Sequence, residues 1–271
     1  MYSGTTLRTH SGRIMGVHQK IDRIARRRLT RFIPRSIKFP AIKDILHFEG
    51  DNGPDGIKRK SPSKDEPWHH INPAKTQGSP LVETIHNHIL NLGEALKKDD
   101  QTRAAFEAAW LAHTAVDGLT PAHHYPLNDK IEELWGKPHS ERITFRDKTI
   151  IRGKNWRDTL SKNWQYWGSG GVFTAHYMFE WGVATAILTH PFKKSGPSGN
   201  DIIRIQRDGF EALFYESLSR IYAMNMYNEF GKTGWTHDLA DQTRRVLIPE
   251  IIKIVSLAWY QAILTVESDK K

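Results

Sequence analysis

The chain has 271 residues, enough to bury a substantial core as one large domain or two small ones. It contains no cysteine, which removes disulfides and thiolate metal sites and leaves any metal to His, Asp and Glu. A formal net charge of +9 and a pI near 9.6 favour polyanionic partners such as nucleic acid, anionic lipid headgroups or phosphoesters, or else mark solvated helix faces.

Taken in chain order, the first twenty residues carry no apolar run of signal-peptide length, so the expected location is cytoplasmic or peripheral to a membrane. A first helix is predicted over 12–32, with Ile14, Val17, Ile21, Ile24 and Ala25 on one side and a dense run of Arg and Lys through it. Pro34 and Pro40 break it, and 48–80 reads as loop, rich in Gly, Pro, Asp, Ser and Lys. Residues 83–98 make a second helix and 99–119 a third, with Asp99 or Asp100 as N-cap. The stretch 126–170 is less regular. Within it, 142–153 alternates enough for a short hairpin, and a Trp-rich turn follows at Trp164 and Trp167. A helix over 172–189 stops before Pro191; Asn200 or Asp201 caps another over 201–229; a last helix spans 238–266. The apolar stretch of that last helix is interrupted by Pro249, Glu250 and Lys253 and falls short of a clean transmembrane span. With no repeat and little strand, the expected fold is all-α, a single compact bundle over 1–271.

Chemistry enters with two residues four apart. His113 and Asp117 share one face of the third helix, and Pro121 marks a turn that delivers His123 just beyond. His176 and Glu180 repeat the same spacing. Either pair alone is compatible with an ordinary polar helix face; two pairs plus His123 point to an N/O-ligand metal such as Zn²⁺. His18 in the first helix, and Asp55 and His69 in the 48–80 loop, are weak candidates singly. Together, His18, Asp55, His69, His113, Asp117, His123, His176 and Glu180 are too many ligands for one tetrahedral zinc and enough for two or three.

These residues resemble the zinc-dependent phospholipase C and single-strand nuclease superfamily. HTAVDGLTPAH follows that family's H-x3-D-x3-P-x-H pattern and HYMFE its H-x3-E/D pattern, while PD at 54–55 and WHH at 68–70 look like its acidic loop and aromatic-flanked His. HQKIDRIA resembles the family's first-helix His. The resemblance implies an α-helical bundle with a three-zinc cluster at one end. It also implies the ligand sets: His69, His113, Asp117 and Asp55 for the first zinc, His123, His176 and Glu180 for the second, and His18 with bridging Asp117 for the third. Secreted relatives complete that third site with the amino group and carbonyl of an N-terminal Trp. Here Met1 stands seventeen residues ahead of His18, so His10 or an upstream cleavage would have to supply the missing ligands. The gap from His123 to His176 is longer than usual, which makes 126–170 an expected insertion. His139 is an alternative to His176 but lacks a carboxylate four residues on; His70 and His124 are alternates to their neighbours.

Clustered zincs suit phosphodiester hydrolysis, lowering the pKa of bound water from about 16 toward about 7 and neutralising charge on phosphoryl and leaving oxygens. Asp55 is the expected catalytic carboxylate, orienting the attacking water or taking its proton. The expected activity is therefore a phospholipase C-like phosphodiesterase using zinc-activated hydroxide. Two alternatives stay open: a zinc-dependent single-strand nuclease, and a non-catalytic, metal-stabilised basic module. Trp68, Tyr125, Trp164, Tyr166, Trp167 and Tyr177 could cage an ammonium, stack a base or pack. Trp259 and Tyr260 in the last helix, with the basic first helix, are the expected contacts to an anionic membrane.

Overall fold

The computed structural model describes residues 1, 16–49, 52–56, 70–76, 78–125, 127–138, 141, 144, 150–168 and 170–268. Helix accounts for the regular structure among them, and none lies in a strand. In chain order the helices are α1 (Val17–Leu29), α2 (Ile42–His47), α3 (Pro80–Lys97), α4 (Gln101–Gly118), α5 (Leu127–Trp135), α6 (Trp156–Trp167), α7 (Val172–Ile187), α8 (Gly199–Ala223), α9 (Met226–Thr233), α10 (His237–Gln242) and α11 (Ile248–Ser268).

Helix α11 is the axis, packed against α1, α3, α4 and α8. Ile251, Ile254, Val255, Ala258 and Ala262 have no accessible surface, and each buried Ile contributes about 1.5–3 kcal/mol by leaving water. Facing it, α4 offers Ala104, Ala108, Ala112 and Ala115, whose small side chains let the axes come close; the Trp259 indole N–H donates to the Ala108 carbonyl at 2.8 Å. Length and composition alone would let His237–Glu267 cross a membrane, with a mean hydropathy of 1.5 in its most apolar window, but 78% of that window is buried in the protein. Trp259 is fully buried and Tyr260 nearly so, so these residues are core and not the expected membrane contact. The basic first helix is likewise partly committed. Arg26 donates to the Pro40 carbonyl at 2.8 Å, Arg28 to the carbonyls of Phe192 and Lys193, and Arg31 to that of Pro197, tying loops to the end of α1.

Several predicted boundaries shift. Asp100 caps α4, its carboxylate accepting from the Arg103 N–H at 2.9 Å. At α8 the cap is Ser198; Asp201 closes a reciprocal capping box from the third helical position. The expected helix over 201–229 breaks at Asn225, which takes a left-handed φ of 54°, before α9. The Trp-rich turn is instead α6, begun by Asn155, whose side chain accepts from the Asp158 N–H at 3.0 Å. Most of the hairpin predicted over 142–153 lies outside the described residues, and 150–153 is irregular. Helices α5 and α6 pack on α7, where Ile131, Ile151 and Tyr166 form a small separate core with Val172 and Phe173.

Candidate metal centre

Two helices bring one triad together. His18 projects from the first turn of α1, and His113 and Asp117 from adjacent turns of α4; all three are buried. Their ligand-capable atoms lie within 4.8 Å of one another. Asp117 Oδ2 is 3.3 Å from His113 Nε2, Asp117 Oδ1 is 3.3 Å from His18 Nε2, and the two imidazoles stack with centroids 4.1 Å apart. The second triad is His123, His176 and Glu180, also within 4.8 Å. Pro121 opens a 3₁₀ turn, Pro121–His124, that swings His123 toward α7. Glu180 Oε1 is 3.0 Å from His123 Nε2 and 3.1 Å from His176 Nε2. His123 Nδ1 is in turn 3.7 Å from Asp117 Oδ2, so the triads adjoin.

Asp55 also reaches this end of the bundle, with Oδ1 3.8 Å from His113 Nε2 and its side chain 28% exposed. Gly53 makes that approach possible: a Cβ there would meet the Phe48 carbonyl at 2.7 Å and the Glu49 Cα at 2.9 Å. His69 lies outside the described residues, as do His10 and His139. His70 is at the site, its ring 5.1 Å from that of His123 and 6.2 Å from that of His176, because the Ile71 N–H donates to the His123 carbonyl at 3.1 Å. His124 turns away, pairing through Nε2 with the Gly118 carbonyl at 2.9 Å; burial pushes its pKa down to about 4.

Three groups at the site escaped the sequence reading. Met1, expected to be too far in sequence from His18, comes back to the cluster. Its amino group is 2.5 Å from Asp117 Oδ1 and 3.3 Å from Glu180 Oε1, and its carbonyl is 2.8 Å from His18 Nε2. Glu49 is buried behind His113, with Oε1 2.8 Å from Nδ1. Asp22, one turn beyond His18 on α1, is buried as well, and neither of its oxygens has a hydrogen-bond partner among the described residues. The only sequence signals were the i, i+4 relation of Asp22 to His18 and the position of Glu49 six residues before Asp55.

Electrostatics tests whether these residues fit a metal. Burial opposes a charge on His113, yet Glu49, Asp117 and Asp55 outweigh it and hold its pKa at about 10. The Met1 amino group is likewise raised: burial lowers it, but Asp117, Glu180 and Asp55 prevail. Glu180 stays well below the usual carboxylate range, since the Met1 amino group, His176 and His123 overcome its burial. Asp22 is pushed well above that range by burial and by Glu49. The site therefore carries a surplus of buried carboxylate that demands positive charge, and a buried anion without one is costly. Burial also leaves His18 Nδ1 and His176 Nδ1 without a hydrogen-bond partner among the described residues. An all-N/O donor set with this charge fits a borderline divalent cation such as Zn²⁺.

Comparison with known proteins gives one structural likeness and no family by sequence. No family model matches the chain, and no curated protein matches it. The crystal structure of alpha-toxin from Clostridium perfringens, isolated from avian strain SWCP, superposes with a TM-score of 0.63 at 14% identity, covering 100% of this chain and 67% of that one. At that identity the likeness shows the fold alone, an all-α bundle shared with the alpha-toxin chain over the length of this one.

Proposed function

We propose that the protein is a zinc-dependent phosphodiester hydrolase, most closely of the phospholipase C kind. The observation that carries this reading is the adjoining pair of buried His/carboxylate triads, 3.7 Å apart at His123 and Asp117. His18, His113 and Asp117 would hold one metal, with Asp55 and, by family resemblance, His69 completing that side. His123, His176 and Glu180 would hold a second. The Met1 amino and carbonyl groups lie where they would serve a third, beside His18 and Asp117. When bound, zinc supplies a water acidified toward neutrality and positive charge facing the phosphoryl oxygens. Asp55 is the member of the cluster that opens to solvent, so it is suited to orient the attacking water or accept its proton. Asp117 lies between the triads, 3.3 Å from His18 and His113 and 3.7 Å from His123, so it is placed to bridge them.

The test is a parallel assay on phosphatidylcholine vesicles, anionic phospholipid vesicles and single-stranded DNA, with zinc content measured on protein purified without chelator. Release of phosphorylated headgroup with DNA left intact is the expected result. Nucleotide release with lipids untouched would replace the phospholipase reading by the nuclease one. Fewer than about one zinc per chain would end the zinc-hydrolase proposal, hydrolysis that survives His113→Ala would show the proposed centre to be wrong, and bound zinc without hydrolysis would leave a metal-stabilised binding module.

A further inference from the structure

The outer face of α6 is apolar and in solvent. Trp156 is 68% exposed, Leu160 62% and Trp164 71%, and their four-residue spacing aligns them in one stripe along the helix. The helix buries its other side through Tyr166 against Ile131 and Ile151, so the stripe is not a misassigned core face. Single exposed hydrophobes need no explanation, but a contiguous stripe containing two tryptophans does.

Cations border it. Arg152, Lys154 and Arg157 are all exposed, and the Arg157 guanidinium lies over the Trp156 ring at 5.3 Å. Asp158 is the one acid within the stretch 150–165, so this stretch is net positive. Tryptophan and leucine flanked by Arg and Lys are the chemistry of a helix that lies in a bilayer interface, rings at headgroup depth and cations against lipid phosphates. A second copy of the chain fits less well. A two-fold interface built on this patch would set its cations against the same cations.

We infer that α6 is a membrane-docking element, with Trp156, Leu160 and Trp164 inserting into the interface of an anionic bilayer and Arg152, Lys154 and Arg157 meeting its headgroups. The inference rests on the phospholipid arm of the proposed function for its purpose, since α6 packs directly on α7, which carries His176 and Glu180. Docking there puts the helix next to the one that carries His176 and Glu180 against the bilayer. It replaces the last helix, whose Trp259 and Tyr260 are buried, as the membrane contact.

Vesicle co-sedimentation of the full chain, on phosphatidylglycerol-rich and on pure phosphatidylcholine vesicles, tests the inference apart from turnover. The wild-type chain is expected to partition onto anionic vesicles at least about tenfold better than onto zwitterionic ones, each basic residue near the surface contributing roughly fivefold. The double variant Trp156→Ser, Leu160→Ser should lose at least about tenfold in partitioning through the apolar area withdrawn. Its helical circular dichroism and its hydrolysis of a soluble chromogenic diester should match wild type within about twofold, since both side chains are largely in solvent and exposed substitutions of this kind perturb the fold little. Charge reversal at Arg152, Lys154 and Arg157 should abolish the preference for anionic lipid. Vesicle binding that both variants retain would overturn the assignment. So would absence of vesicle binding, whether or not sedimentation velocity finds a dimer that the double variant dissolves. Loss of diester hydrolysis by the wild-type protein, with vesicle binding intact, would overturn the proposed function and leave the docking surface standing.

Discussion

The two triads occupy one end of the bundle but differ in depth and in support. His18, His113 and Asp117 are sealed between α1 and α4, and Glu49 holds the far nitrogen of His113 at 2.8 Å. His123, His176 and Glu180 meet where a 3₁₀ turn touches α7; His176 is the least buried of the three, its side chain 13% exposed, and its Nδ1 has no hydrogen-bond partner among the described residues. The first set is oriented in advance by a hydrogen bond that fixes which ring nitrogen faces the cluster. The second relies on the helix spacing of His176 and Glu180 and on the turn after Pro121. A braced triad suits a metal held in advance, and on that same side Asp55, 3.8 Å from His113 and 28% exposed, is where the cluster opens to water.

That contrast can be broken most severely at Asp117, which touches both sets. Asp117→Asn removes the charge shared by His18, His113, His123 and the Met1 amino group, and is expected to strip most bound zinc and cut diester hydrolysis at least about a hundredfold, more than an outer-shell change would. Metal analysis after gel filtration reads the first effect and a soluble substrate the second; full zinc retention would mean that Asp117 is not a ligand. Glu180→Gln sharpens the comparison instead. About one zinc equivalent should be lost while the His18–His113–Asp117 side keeps its own, and loss of everything would show the triads to be one inseparable cluster.

A smaller effect is expected from Glu49→Gln, which keeps an acceptor for His113 but removes its charge. Zinc affinity on that side should fall about tenfold with stoichiometry unchanged at saturation, as measured by competition with a chromophoric chelator. No change would make Glu49 a packing residue. The mildest test is pH on metal-free protein. His113 and the Met1 amino group both have raised folded pKa values, so the stability they contribute is full below their ordinary values and is lost as pH rises, for His113 between 6.5 and about 10. Thermal unfolding should therefore occur at lower temperature on the alkaline side of that window, and saturating zinc, which replaces the proton, should flatten the slope. An apo-protein whose melting point rises steadily from pH 7 to 10 would contradict the charge balance described for the cluster.

Local periodicity made much of this site readable. His113 with Asp117 and His176 with Glu180 are pairs that any α-helix presents on one face, and the Pro after Asp117 announced the turn that carries His123. Asp55 was readable as a carboxylate on a Gly/Pro turn. The same logic fails at α6, where Trp156, Leu160 and Trp164 repeat every four residues but face solvent, so a rhythm that normally marks a buried face does not mark one here. It also failed at Ser198, where S-x-x-D was a legible capping box passed over for the residues inside it.

By itself, then, the sequence determined the longer helices of the bundle, the polar faces that carry the His/carboxylate pairs and the donor chemistry open to a cysteine-free chain, because helix geometry and ligand type act over a few residues. Tertiary structure decided which donors meet. Glu49 reaches His113 across 64 positions and Met1 reaches Asp117 across 116, contacts that no local pattern encodes because they depend on how α1, α2 and α4 pack around α11. It also decided which tryptophans are core and which face solvent. Trp259 lies on a strongly apolar helix packed on all sides and Trp156 on a mostly polar one, and the packing around each helix completes the burial of the first and leaves the second in solvent.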